Sequence, residues 1–467
     1  MCRALASFFL FIATAMTLAG AREPNPDPRL RKAFRQPEQN GWTFVHLEGK
    51  PAELGYQHGY LLAPEVKDGL EVQKAELTHD GKHDWGFYRA AAKRELWPRI
   101  DSQYREELEG IAEGVSARGI KVDVWDIVAL NAAMEWSYYT KWLDVKQGKK
   151  DGKAAAGDHC SAFVATGSYT KDGKVVIAHN NWTNYMDGAR WTIIFDVVPT
   201  QGQRFIMDGY PGLIHSGDDF GINAAGIAIT ETTITGFSGW DPKGVPEFVR
   251  ARRALQYSTS IDEFAATMKD GNNGGYANDW LIADVKTNEI AHLELGLKNV
   301  TLERTKDGYF SGANFPKNPK LTAEETNYDP KDMGISGNAR RVRWDQLMTE
   351  YKGRIDAATA QKFLADDYDT FEKKNALSER TLDGTIDLSP RGMGDWQPPY
   401  APAGAVQNKV ADSEMIRAMK LSAKAGHASG RDFNASQLLA EHPEFGWMKP
   451  YLKDMKSLPW TEFQASK

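Results

Sequence analysis

Gly157-Asp158-His159-Cys160-Ser161-Ala162-Phe163 is the seam at which the character of this chain changes. On its N-terminal side, Lys146-Gln147-Gly148-Lys149-Lys150-Asp151-Gly152-Lys153-Ala154-Ala155-Ala156-Gly157 has no apolar period and reads as a solvated linker. On its C-terminal side, Ser161 to Thr170 and Lys174 to Trp182 read as extended runs joined at Lys171-Asp172-Gly173-Lys174, and Asp-Gly between such runs is a hairpin signal. Cys160 therefore heads a strand at the end of a linker.

Composition narrows what the thiol can be for. The 467 residues are 41% apolar and 26% charged, the make-up of an ordinary folded chain, and a net charge of -6 offers no basic face for nucleic acid. Met1 to Ala21 has a basic Arg3, an apolar run from Phe8 to Leu18 and the small-residue close Ala19-Gly20-Ala21. This is the form of a secretory signal, so the mature chain is expected to be secreted or periplasmic. No later run approaches ~18 consecutive apolar residues, so no integral membrane segment is expected. Removing the signal discards Cys2 and leaves Cys160 alone, which rules out an internal disulfide and leaves either an inert buried thiol or a used one.

A cysteine at this place has a specific use. Its sulfur can attack the carbonyl of the residue before it, giving a thioester that water opens, and the product carries a thiol and a free α-amine on one residue. That amine, with an ordinary pKa of ~7.7–8.0, can serve as general base for its own thiol. A papain-like enzyme would instead need a histidine, an orienting asparagine and a cysteine that opens a helix. His179, His215 and His292 are available, but Cys160 opens a strand.

Working outward, Thr43 to Gly49 reads as a strand and Ala52 to Leu62 has helical spacing, with Gly55 and Gly59 fitting either a close backbone approach or a surface helix. Trp97, Ile100, Tyr104, Leu108, Ile111 and Val115 form one helical stripe and Val124, Ile127, Leu130, Ala133 and Trp136 a second; both read as core. Beyond the hairpin, strands are expected at Trp191 to Val198, Gln203 to Ile214, Gly226 to Ile234, Trp280 to Val285, Ile290 to Leu295, Val300 to Glu303, Tyr309 to Phe310 and Ala405 to Val410. Helices are expected at Pro246 to Tyr257, Ser260 to Met268, Asn338 to Tyr351 and Ala357 to Leu364. Blocks of strands and blocks of helices predict an α+β chain with two sheet layers covered by helices, not a doubly wound parallel sheet. The expected organisation is a signal at 1–21, a mainly helical N-terminal chain at 22–159 and a catalytic chain at 160–467.

Several patches, in order, carry a resemblance: Cys160-Ser161-Ala162; Ala178-His179-Asn180-Asn181-Trp182; Tyr210-Pro211-Gly212-Leu213-Ile214-His215-Ser216-Gly217-Asp218-Asp219-Phe220; Ile229-Thr230-Glu231-Thr232-Thr233; and Tyr276-Ala277-Asn278-Asp279-Trp280. Together they resemble the phospholipase B-like family of N-terminal-nucleophile hydrolases, close to the penicillin acyltransferase (peptidase C45-like) type. The resemblance implies an αββα sandwich with antiparallel sheets, autocatalytic cleavage between His159 and Cys160, and hydrolysis of acyl esters or amides. It implies that Cys160 is the nucleophile, that the Asn278 amide faces the oxyanion, and that Arg340 stands near the nucleophile, with Arg341 one register away. It places Asn180 and Asn181 in the catalytic group and His179, Trp182, Asp218, Asp219 and Thr232 on the substrate side. Where the family has an aspartate after the histidine of the second strand, this chain has Asn180; either Asp218 or Asp219 then supplies the charge that holds the α-amine, or the amine is less basic.

Two competing readings accompany this one: an amidase or acyltransferase on N-acylated small molecules or peptides, and an exported binding protein that keeps the fold and is never cut. The expected partner is an acylated small molecule or a phospholipid, with no nucleic acid and no cofactor. No metal is expected, because Asp218, Asp219 and Glu231 are read as turn or buried carboxylates. Gly221-Ile222-Asn223-Ala224-Ala225-Gly226 lacks phosphate-loop spacing and is read as a turn between strands.

Overall fold

The computed structural model describes residues 27–80, 83–149, 159–217, 220–394 and 396–466. The expected signal at 1–21, the linker from residue 150 to 158, and Asp218 and Asp219 lie outside the described residues.

Two sheets face one another. The larger has nine strands in the order Phe34–Arg35, Thr43–Gly49, Ile193–Pro199, Phe205–Gly209, Gly221–Asn223, Ile227–Thr233, Asn278–Asp284, Glu289–Leu295 and Val300–Thr305. The smaller has six, in the order Gly308–Gly312, His159–Thr166, Val176–Asn184, Ala403–Asp412, Lys420–Ala425 and Thr461–Gln464. Every pairing is antiparallel except that of Thr43–Gly49 with Ile193–Pro199. The N-terminal portion is thus more than a helical prosegment: it supplies two strands to the nine-stranded sheet.

Strand periodicity sorts the side chains into layers. In His159–Thr166, Ala162 and Val164 enter the core between the sheets with Ile177, Ile194, Ile206, Ala228 and Leu281. Phe163 and Ala165 point the other way, against Trp344, Leu347 and Phe363 of the helices Ser336–Glu350 and Ala357–Leu364. On the far side of the nine-stranded sheet, Ile229 and Trp280 meet Leu54, Val66, Leu108, Ile111, Phe248 and Phe264 from the N-terminal helices and from Glu247–Tyr257 and Ile261–Lys269. The result is the expected four-layer αββα sandwich. No described helix is long and apolar enough to cross a membrane.

The two readings of Gly55 and Gly59 are decided by packing. Helix Pro51–Leu61 lies backbone to backbone against Ser102–Ala117, and a methyl on Gly55 or Gly59 would fall on the carbonyl oxygen of Glu107 or Ile111; Gly110 and Gly114 mirror the contact from the other helix. Some element bounds differ from expectation. The strand expected to reach Ile214 ends at Gly209, because Pro211 offers no donor to a ladder and Gly212 turns the chain at φ 93°. The second aromatic stripe breaks into Val124–Asn131, a short turn and Trp136–Lys146.

Candidate active site

Cys160 sits one residue into the strand that lies second in the six-stranded sheet, on the parity of Ala162 and Val164, so its side chain enters the space between the sheets. It is completely buried, as are His179, Glu231 and Asn278. The strand Val176–Asn184 sets Asn181 directly opposite Cys160 and His179 opposite Ala162, on the same face. On the other side of that strand, Gln407 faces Asn181 and Lys409 faces His179, with a register shift between Ala405 and Gln407 beside them.

The backbone of Cys160 is held at both ends of the residue. Its N–H donates to Asn314 Oδ1 at 2.9 Å. Its carbonyl oxygen accepts from Arg340 Nη1, which also reaches Ser161 Oγ at 3.1 Å. Arg340 Nη2 donates to Asn314 Oδ1 at 2.9 Å and to the Ala313 carbonyl at 3.1 Å, and its Nε to Ser336 Oγ at 2.9 Å. Asn314 completes its own bonding by donating Nδ2 to the Thr233 carbonyl at 2.9 Å, from a backbone at φ 65° that asparagine tolerates better than most residues. Burial pulls the Arg340 guanidinium down to about 9, which leaves it cationic at neutral pH, and the Trp182 ring lies 4.4 Å beneath it. Arg341 stacks over Phe315 instead, so it is Arg340 that meets the Cys160 backbone.

Around the thiol, the Cys160 Sγ, a His179 ring nitrogen and a Glu231 carboxylate oxygen all lie within 4.8 Å of one another. Glu231 accepts the Tyr276 hydroxyl at 3.1 Å on Oε1. With the Asn278 amide assigned so that its nitrogen has acceptors, Nδ2 donates to Glu231 Oε2 at 3.0 Å and to the Ala277 carbonyl at 2.9 Å. Burial and the neighbouring Lys409 ammonium push His179 well below its ordinary value, so the imidazole is neutral. That ammonium is matched by Asp208 at 3.0 Å in a fully buried pair, to which Gln407 adds bonds of 2.7 Å from Lys409 and 2.9 Å to Asp208. Asn181 Nδ2 and Thr230 Oγ1 find no hydrogen-bond partner among the described residues, and the Glu231 backbone bears on the His179 ring.

The structure thus brings Cys160, His179, Asn181, Asn278 and Arg340 together, with Trp182 beneath Arg340. One expected member does not join them. Asn180 has the opposite parity and spends its amide on the Leu364 and Leu382 carbonyls, both at 2.8 Å, so it ties down loops of the helical layer and cannot replace an aspartate at the amine. Asn314 occupies that position. Thr232 lies in the packed interior against the Cα of Gly312. His292 is engaged by Asp279 at 3.1 Å and Glu303 at 3.4 Å. Sequence reasoning missed Asn314, Lys409, Asp208 and Gln407. Gln407 and Lys409 do fall in Gly404 to Val410, a stretch that also resembles the family, and Asn314 is a polar residue just past the strand Gly308–Gly312.

Cys160 thus heads a buried strand of an αββα sandwich, its backbone nitrogen and carbonyl separately gripped. Comparison with known proteins gives the family. The sequence model of the phospholipase B family matches residues 87–458, so the chain belongs to that family. An uncharacterized protein of Archaeoglobus fulgidus is 29% identical over 266 residues, covering 54% of this chain and 42% of that protein. A phospholipase B-like 1 protein of Caenorhabditis elegans is 23% identical over 339 residues, covering 62% of this chain and 57% of the relative. The chain spans about half the length of the curated relatives it matches. Among solved structures, a mutant conjugated bile acid hydrolase from Clostridium perfringens matches with a TM-score of 0.33 at 11% identity, covering 57% of this chain and 89% of that one.

Proposed function

We propose that this chain is an exported cysteine acyl hydrolase that matures by cutting itself between His159 and Cys160, and that phospholipid acyl esters are its substrates. The observation that carries this reading is the double grip on Cys160: Asn314 on its nitrogen and Arg340 on its carbonyl, with the sulfur beside His179 and Glu231.

In the uncut chain the Cys160 nitrogen is an amide and cannot act as a base. The sulfur attacks the His159 carbonyl carbon, the carbon–nitrogen bond breaks, and the nitrogen leaves as an amine carrying the proton from the thiol; neutral His179 is the adjacent group able to relay it. Water then opens the thioester. After the cut, the α-amine stays where the amide was, with Asn314 Oδ1 as its acceptor, and it becomes the base for the thiol. Asn278 is the amide donor for the oxyanion once one of its two Nδ2 bonds, to Glu231 Oε2 or to the Ala277 carbonyl, is given up to it, and such a donor is commonly worth ~2.7–4 kcal/mol. An amide-linked acyl substrate is the second reading, because the first bond this site would break is itself an amide.

Intact mass of the purified chain, beside its Cys160→Ala variant, tests the proposal. Two chains meeting at His159 and Cys160 in the wild type and a single chain in the variant are expected, followed by fatty acid release from phospholipid by the cut form only. A wild type that stays whole at mildly acidic and neutral pH, and gains thermal stability with lipid without releasing acyl groups, would sink the hydrolase in favour of a binding protein.

A further inference from the structure

Three donors of different chemistry converge at the head of the strand His159–Thr166. The Cys160 sulfur, a His179 nitrogen and a Glu231 oxygen are mutually within 4.8 Å, in a fully buried setting. A tetrahedral zinc ion, with sulfur at ~2.3 Å and nitrogen or oxygen at ~2.0–2.2 Å, separates its ligands by roughly 3.3–3.8 Å. Closing the present triangle to that size asks each donor atom to move by less than about 0.9 Å, within ordinary rotamer adjustment.

A second observation points to a ligand. His179 is fully buried and its ring makes no close side-chain hydrogen bond among the described residues, the Glu231 backbone being the polar group that bears on it. One of its two ring nitrogens belongs to the triangle that a metal would complete. The carboxylate is already steadied in the way metal ligands usually are, by the Tyr276 hydroxyl at 3.1 Å and the Asn278 amide at 3.0 Å. Thiolate and imidazole together select a borderline-soft ion over magnesium or calcium.

We propose that Cys160, His179 and Glu231 form an inhibitory site for a thiophilic divalent cation, zinc, with the nucleophilic sulfur as one ligand. On binding, a zinc–sulfur bond forms as the thiol proton leaves to solvent, the imidazole and carboxylate add two more bonds, and water completes the tetrahedron. A sulfur engaged by zinc cannot attack a carbonyl, so the ion holds the chain uncut and silences the cut form until it is withdrawn. That consequence rests on Cys160 being the nucleophile; the binding does not.

The probe is cobalt(II), a spectroscopic substitute for zinc, equilibrated with the full chain in both uncut and cut form. One equivalent should give a thiolate-to-cobalt charge-transfer band in the near ultraviolet that zinc displaces. The band should vanish in Cys160→Ala and in wild-type chain alkylated at Cys160, an arm that needs no variant to fold. His179→Ala and Glu231→Gln, with melting curves close to wild type, should each weaken binding by about tenfold or more. Absence of the band in the wild type, or a band that neither substitution weakens, overturns the site. If cobalt binds in the expected pattern but the chain neither cuts nor releases acyl groups, the hydrolase reading falls and the metal site stands. If the chain cuts and hydrolyses while cobalt gives no thiolate band, the metal site falls alone.

Discussion

Asn314→Ala would remove a side chain that touches the Cys160 nitrogen, Arg340 and the facing sheet. Three bonds of 2.9 Å are lost, to the Cys160 N–H, Arg340 Nη2 and the Thr233 carbonyl, all in a buried setting. A buried group deprived of its partner costs ~1–3 kcal/mol. Arg340 keeps bonds to Ser336, Cys160, Ser161 and Ala313, so its loss falls at the low end, and the two backbone groups carry the larger share. Alanine at φ 65° adds ~1 kcal/mol. After partial relaxation the expected destabilisation is about 3–5 kcal/mol. It should be measured by urea unfolding in a Cys160→Ala background, where cutting cannot change the state compared. With Cys160 present, misplacing the nucleophile by about an ångström should slow self-cleavage by ~100-fold, read from the mass of the two products over time. Asn314→Asp, which keeps the acceptor and loses only the donor to Thr233, should fall between the two. An Asn314→Ala chain within ~1 kcal/mol of its parent that also cuts at the wild-type rate would refute the claim that Asn314 holds the reacting residue.

The helix pair and a buried histidine give two further tests. Gly59→Ala puts a methyl against the Ile111 carbonyl and should cost about 3 kcal/mol or more, whereas Gly446→Ala, which meets nothing within 4 Å, should be neutral; equal melting temperatures would contradict the close helix contact. His58 accepts the Gly212 N–H on Nε2 at 2.8 Å, and burial, then the charge of Arg252, hold it down to about 3. The folded state therefore keeps it neutral while the unfolded chain protonates below ~6.5, so its contribution is complete above that pH and is lost as pH falls towards the folded value. Between pH 7 and pH 5 it alone should remove ~2 kcal/mol of stability. His215, also buried and at about 3, acts in the same direction. His58→Gln keeps an acceptor for Gly212 and should flatten the pH dependence by that amount; an unchanged slope in denaturant unfolding would exclude His58 as its source.

Much of the architecture was legible because its signals are local. The hairpin at Asp172-Gly173 forms from the strands His159–Thr166 and Val176–Asn184, and Ser260 caps Ile261–Lys269 through the Glu263 N–H at 3.2 Å, as the spacing suggests. Asn180 was placed wrongly because sequence adjacency to His179 says nothing about face: neighbours in a strand point to opposite sides. Asn181, one step on, shares the face of Cys160.

By itself the sequence determined the two-sheet α+β class and the position of Cys160 at the head of a strand, since period-two alternation, turn residues and linker composition are properties of adjacent residues. Only the tertiary structure decided that Asn314 and not Asn180 meets the Cys160 nitrogen, that Arg340 and not Arg341 meets its carbonyl, and that His179 and Glu231 stand beside its sulfur with Lys409 behind His179. These residues come from distant parts of the chain. In sequence a buried polar residue that completes a site looks the same as one that satisfies a core, until the two sheets are stacked and the partners can be counted.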